Sequence, residues 1–339
     1  MQKLVLGIET SCDETAASVY SSKSQTLSNP LFSQIKIQQE FGGVVPEVAS
    51  RSHLEKIRTI VQEALDKAKV TLDDINVIAV TSKPGLPGSL LIGLCYAKAL
   101  AWATHKPLIG VNHLEGHIFS SFLENTPSFP HICLTASGGH TALYLVKGYG
   151  DYELLGHTVD DAAGEAFDKV GKLIGLTYPA GPAIEKLAAT VNFKDFFKYP
   201  RGRKETLDFS FSGLKTAVLY DLVDKGILDL KTKKIVTIDP ELQKQVASSL
   251  LVCINDIFIK KLKLALQEHP DVKAVTFVGG VACNKFITNN ISRFCEPRGI
   301  EFFSPTPQYC TDNAAMIAFV GNYLAQQGKF SDITLDIFE

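Results

Sequence analysis

Two histidines stand four residues apart in His113-Leu114-Glu115-Gly116-His117. On a helix they project from one face, the spacing that lets two imidazoles share a metal ion. The same spacing also fits a pair of surface or helix-capping histidines. A zinc-protease helix carries its glutamate directly after the first histidine, whereas Glu115 comes two residues later and points elsewhere. That geometry disfavours a metalloprotease. Two imidazoles leave a metal under-coordinated, so a third ligand must come from elsewhere in the chain. Asp312, in Cys310-Thr311-Asp312-Asn313 at the start of a helix, offers a carboxylate, although a plain N-terminal cap is its other reading.

A second group of residues suits an anion or a nucleotide. Ser137-Gly138-Gly139-His140-Thr141 joins two strands, and its glycines let backbone N–H groups approach a phosphate; a simple hairpin turn reads the same way. Gly279-Gly280-Val281-Ala282-Cys283-Asn284 ends a strand and opens a helix, a place where phosphates and sugars bind. Asp160-Asp161-Ala162-Ala163-Gly164-Glu165-Ala166-Phe167-Asp168 opens another helix. Capping accounts for Asp160 and Asp161, while Asp168 lies a turn further in and suits ribose hydroxyls. Tyr178-Pro179-Ala180-Gly181-Pro182 is a rigid turn whose glycine permits close approach of a ligand. The basic run Lys194–Lys204, interleaved with Phe193, Phe196, Phe197 and Tyr199, suits either a phosphate backbone or a solvated loop.

These residues need elements to hold them. Lys3–Glu9 and Thr15–Tyr20 read as strands joined by a polar turn, followed by an amphipathic helix over Pro46–Lys69. Strand Val77–Thr81, helix Ser89–Thr104 and strand Pro107–Val111 come next. The pattern then restarts with strands Ile132–Ala136 and Thr141–Val146 and helix Ala162–Ile174. Helix Pro240–Glu268, strand Val272–Val278, a helix from about Asn284, strand Glu301–Phe303 and helix Thr311–Ala325 complete it. A strand–turn–strand hairpin followed by strand–helix alternation, met twice, predicts a duplicated α/β domain. The expected division is residues 1–130 and 131–307, with the helix at about 308–326 packing back on the first lobe. Residues 175–237 interrupt the alternation as an insertion, and the two lobes are expected to face each other across a cleft with both hairpin turns at its floor.

Composition is consistent with this. The chain has 339 residues, 45% hydrophobic and 21% charged, enough for two cores and too apolar for a disordered protein. Its net charge of −2 advertises no nucleic-acid binder overall, so such contact needs a local patch. Seven scattered cysteines without a C-x-x-C pair disfavour a zinc ribbon or disulfide framework and favour a reducing compartment. No secretory segment is visible, and the longest apolar stretch, Leu90–Thr104, is too short to span a bilayer and carries Lys98.

Taken in order, Gly7–Thr15, Gly42–Glu47, His113–His117, Ser137–Thr141, Asp160–Lys169, Asp208–Thr216 and Cys310–Asn313 resemble the motif series of the TsaD family, tRNA threonylcarbamoyltransferases once called O-sialoglycoprotein endopeptidases. The resemblance runs from residue 3 to about residue 325 and is closest to bacterial members. It implies the actin/Hsp70/sugar-kinase (ASKHA) fold, with two lobes of ribonuclease-H-like topology. It implies transfer of a threonylcarbamoyl group from threonylcarbamoyl-AMP to N6 of the adenosine 3′ to the anticodon, in tRNAs reading ANN codons. By family match, one divalent metal per subunit, Fe2+ or else Zn2+, lies on His113, His117 and Asp312. Thr135, Ala136, Ser137, Gly138, Gly139, Asp168, Gly181 and Asn284 would line the adenylate site. Thr135-Ala136 and Ala282-Cys283 depart from the pairs usual at those places. Glu14 and His140 are both candidates for taking the amine proton. The implied partners are tRNA, a TsaB-like paralogous subunit, a TsaE-like P-loop ATPase and the synthase that supplies the adenylate, with no membrane. A first strand beginning at Lys3 leaves no room for a transit peptide and predicts a bacterial, cytoplasmic protein. A non-catalytic adenine-nucleotide scaffold of the same fold is the competing reading.

Overall fold

The computed structural model describes residues 3–202, 205–229, 234–235 and 239–338. Arg203, Lys204, Lys231 and Lys233 of the expected insertion lie outside them. The chain divides into two compact units, Met1–Thr126 with Pro305–Glu339, and Pro127–Ser304.

The first unit starts with β1 (Leu4–Glu9), β2 (Glu14–Ser21), β3 (Gln25–Ser28) and β4 (Leu31–Ser33), then α1 (Ile35–Gln39) and α2 (Pro46–Ala68). β5 (Val77–Lys83), α3 (Pro87–Thr104), β6 (Leu108–Asn112) and α4 (His113–Phe119) follow. The sheet order is β3-β2-β1-β5-β6, with β4 also on β2. β1 pairs antiparallel with β2 and parallel with β5, which pairs parallel with β6. β1 is buried along nearly its whole length because it is central and covered on both faces. Its alternate residues divide those faces. Leu6 and Ile8 join the core built with Ile57, Ile60 and Leu90 of α2 and α3. Gly7 faces the other way, where a Cβ would come within 2.5 Å of Ala314 O and 2.7 Å of Ala318 N.

The second unit repeats the scheme. β7 (His131–Ala136), β8 (Thr141–Gly148) and β9 (Asp151–His157) form an antiparallel meander. α5 (Ala163–Leu173), α6 (Gly181–Thr190) and α7 (Ser212–Asp224) lead through the short strands β10 (Leu228–Asp229) and β11 (Lys234–Ile235) to α8 (Pro240–Glu268). β12 (Ala274–Val278), α9 (Lys285–Cys295) and β13 (Glu301–Phe303) end the unit. The sheet order is β13-β12-β7-β8-β9, with β7, β12 and β13 parallel. This is the order of the first sheet, strand for strand, so the duplication is one of topology. The strands β3, β4 and β9 complete each meander beyond the predicted hairpins. α6 packs along α8 and α5 against α7, so residues 175–237 include two helices belonging to the second unit's core.

The chain then returns to the first unit with α10 (Pro307–Cys310) and α11 (Ala314–Gln326), which lies on β1, β2 and β5. Among the described residues no helix is long and apolar enough to cross a membrane. All seven cysteines are free thiols.

Candidate metal centre and glycine turn

α4 begins at His113 because Asn112 caps it, its Oδ1 accepting from Leu114 N at 2.8 Å. The cap is therefore Asn112, and both histidines turn inward, with side chains 8% and 1% exposed. Gly116 lets α4 sit against α11, where a Cβ would meet Ile317 and Met316 at 3.0–3.1 Å. At the start of α11 the capping residue is Asn313, whose Oδ1 accepts from Met316 N at 3.1 Å. Asp312 is thus released from capping. Its Oδ1 lies 3.0 Å from His117 Nε2 and 3.5 Å from His113 Nε2. One donor atom from each of the three residues falls within 4.8 Å of the others.

The charges explain why the cluster holds together in the protein alone. Burial works against an imidazolium at His113, but Asp312 and Glu9 on its two sides raise its pKa well above the ordinary value. Burial likewise works against the Asp312 carboxylate, and His113 and His117 hold it well below the usual range. Two imidazole nitrogens from α4 and a carboxylate oxygen from the residue before the α11 cap make a donor set of the kind that holds a divalent metal ion. The residues fit a metal.

Glu9 was not among the sequence candidates. It closes β1 on the same face as Gly7, fully buried, and its Oε2 lies 3.0 Å from His113 Nδ1. Thr81 Oγ1 donates to that oxygen at 2.5 Å, and Ser11 N donates to Oε1. The period-2 face running Val5, Gly7, Glu9 was the available signal. Glu14, at the start of β2, accepts from Ser33 Oγ at 3.1 Å. Burial, with Asp13 and Asp312 nearby, raises its pKa well above the ordinary value. Burial pushes the Glu115 carboxyl up to about 7 against the pull of Lys329.

In the second unit, Thr135 and Ala136 end β7, buried, and Ser137–His140 turn into β8. Ser137 N donates to His140 O at 2.8 Å, and His140 N to Ser137 Oγ at 3.1 Å. The Ser137 N–H is therefore committed within the turn. Around Gly138 and Gly139 the space where a Cβ would stand is open. α5 docks onto this turn: Ala163 N donates to Thr141 Oγ1, and a Cβ on Gly164 would come within 2.5 Å of Ser137 O. Gly279, at φ +91°, ends β12 where a Cβ would lie 2.4 Å from Ala136 O. The turn and the Gly279 segment therefore meet at the C-terminal ends of two parallel strands, where ligands of α/β sheets bind.

The remaining candidates carry structural bonds of their own. Asp168 Oδ1 accepts from Ala180 N at 2.7 Å, holding the residue before Gly181, beside which a Cβ would find open space. Asn284 caps α9 through Ile287 N at 3.1 Å. Glu185 links α6 to α9 by accepting from Phe286 N at 2.9 Å, another residue the sequence did not single out. The capping expected of Asp160 and Asp161 is corrected. Asp160 does not cap its own helix; it accepts from Ser210, Phe211 and Ser212 at the head of α7. Asp161 pairs with Lys169 at 2.6 Å. In the described part of the Lys194–Lys204 run, Arg201 is paired with Asp195 and Asp256 and Tyr199 is buried, while Lys194 and Lys198 are exposed.

Solved structures share this architecture at low sequence identity. Full-length HypF, in its phosphate- and nucleotide-bound form, matches with a TM-score of 0.63 at 15% identity over 97% of this chain and 47% of that one. The activator of the 2-hydroxyisocaproyl-CoA dehydratase from Clostridium difficile, with bound ADPNP, matches with a TM-score of 0.53 at 11% identity over 96% and 97%. The fold is therefore the actin-like ASKHA type. The sequence is 48% identical over 335 residues to the tRNA N6-adenosine threonylcarbamoyltransferase of Symbiobacterium thermophilum, covering 98% of this chain and 95% of that one. It is 47% identical over 338 residues to the enzyme of the same name from Clostridium perfringens, covering 99% and 96%. The family model for tRNA N6-adenosine threonylcarbamoyltransferase matches residues 25–319, a span that holds α4 and its histidines, the glycine turn and Asp312. A chain so matched along almost its whole length belongs to the TsaD family.

Proposed function

We propose that this chain transfers the threonylcarbamoyl group of threonylcarbamoyl-AMP to N6 of adenosine 37 in tRNAs reading ANN codons, forming t6A and releasing AMP. The observation that carries this reading is the near-full-length similarity to proteins of that name. In the reaction a C–N bond forms between N6 and the carbamoyl carbon. The bond from that carbon to the phosphate oxygen breaks, AMP leaves with the electron pair, and N6 gives up a proton. His113, His117 and Asp312 are the assigned ligands of one divalent metal, Fe2+ with Zn2+ as the alternative. When bound, the metal supplies Lewis-acid stabilisation of negative charge.

The chain's own groups do the positioning. Thr135, Ala136, Ser137, Gly138 and Gly139 are assigned to the adenylate, with the open glycine backbone facing its phosphate. A well-placed N–H donor there is worth about 3 kcal/mol to a developing oxyanion. Asp168, Gly181 and Asn284 are assigned to the nucleoside, the last two beside backbone that Asp168 and the α9 cap hold in place. For the N6 proton, Glu14 and His140 are both candidates as acceptor. The same reading brings in tRNA, a TsaB-like subunit, a TsaE-like ATPase and the adenylate-forming synthase, in the cytoplasm.

The test is to incubate the chain with threonine, bicarbonate, ATP, the synthase, both partner proteins and unmodified tRNA, and to analyse the nucleosides by mass spectrometry. Modified adenosine is expected with the native chain and none with His113→Ala. Its absence with the native chain would favour the non-catalytic scaffold.

A further inference from the structure

We propose that Glu9 is a positioning residue for the metal centre, fixing His113 in the tautomer protonated at Nδ1 so that Nε2 is the nitrogen offered beside Asp312. An ionised carboxylate only accepts hydrogen bonds, so an oxygen 3.0 Å from Nδ1 calls for the proton on that nitrogen. In a neutral imidazole the lone pair is then on Nε2, the nitrogen 3.5 Å from Asp312 Oδ1.

Glu9 is itself held firmly enough to set another side chain. Its backbone is paired in the sheet opposite Ala16. Both its oxygens are engaged, one by Ser11 N and the other by Thr81 Oγ1 of β5. Ser11 Oγ, 3.1 Å from the same Nδ1, closes that side of the ring. Glu9 is not a ligand in this arrangement, because it meets the ring edge turned away from Asp312. The convergent donors come from His113, His117 and Asp312 alone among the described residues. His117 differs, since its Nδ1 is buried with no hydrogen-bond partner. Of the two imidazoles, His113 is the one whose orientation is imposed from behind, as in carboxylate–histidine–metal arrangements.

The inference rests on the metal assignment above, and the experiment separates the two. The full chain, freed of metal with a chelator, is titrated with Co2+, whose visible spectrum reports coordination, and with Zn2+ against a chromophoric chelator. Native chain, Glu9→Gln and Thr81→Val are compared, with the thermal midpoint of each metal-free protein as a control for folding. Glu9→Gln is expected to keep one site and the native Co2+ spectrum while binding Zn2+ about 10–100-fold more weakly. Thr81→Val, which removes one bond to Glu9 but leaves the carboxylate, is expected to give a smaller loss in the same direction. It serves as the test if Glu9→Gln does not fold. Unchanged affinity in the folded variants would overturn the proposal, as would an altered Co2+ spectrum, which would make Glu9 a ligand. If the native chain binds neither ion, the metal assignment falls and the proposal with it.

Discussion

Asp312 and Asn313 show how one position separates a helix cap from a member of the histidine cluster. Either side chain can cap a helix, and the structure gives that bond to Asn313, which leaves the Asp312 carboxylate facing two imidazoles. We expect His113→Ala and Asp312→Ala each to abolish metal retention and tRNA modification, as measured by metal analysis and nucleoside mass spectrometry, with the fold kept by circular dichroism. A second residue-scale prediction concerns His131, fully buried at the start of β7, where burial pushes its pKa down to about 4. An unfolded chain binds a proton at that histidine below about pH 6.5 while the folded chain does not until about pH 4. Stability should therefore fall as pH is lowered from 6.5 to 4, by up to about 3 kcal/mol. His131→Gln should flatten that part of a thermal-midpoint profile. The two histidines of α4 were legible because helical spacing is local. Glu9 had to be read from strand period and burial together. Asp160 was out of reach, because the helix it caps begins some fifty residues further on.

Elements meet here at glycines that leave no room for a side chain. Gly279→Ala would place a Cβ 2.4 Å from Ala136 O at a φ of +91°. The backbone alone should cost about 1–3 kcal/mol, and the clash adds to it, so we expect a lower thermal midpoint. Gly164→Ala would drive the turn at Ser137 and Gly138 away from α5. We expect metal content to stay native while kcat/KM for the adenylate falls on the order of 10²-fold, the scale that a misplacement of about 1 Å carries. The β7–β8 hairpin was legible from its buried runs and its glycine turn. β9 was not, because along Asp151–His157 only Gly156 is buried and no alternation marks a covered face. β3 and β4 are too short to show a period at all.

At the scale of the whole molecule, two units share one strand order, and only the repeat of element pattern made that visible in the sequence, since residue identities barely match. The first unit is discontinuous, with α11 of its second segment lying on its sheet. A chain ending at Ser304 loses Asp312 and uncovers the face of β1 that Gly7 presents to α11. We expect such a truncation to lose metal binding and to expose Met1–Thr126 to limited proteolysis while fragments of Pro127–Ser304 persist.

That discontinuity also sets an order in time. On the ribosome, β1 with Glu9 and α4 with both histidines are made before residues 127–304, and Asp312 only after them. At about 5–20 residues per second that interval is roughly 9–36 s. Throughout it the face of the first sheet that α11 covers stands bare, so we expect the nascent chain to engage chaperones until α11 has been made. The Asp312 carboxylate can join the two histidines only after residues 127–304 have been made.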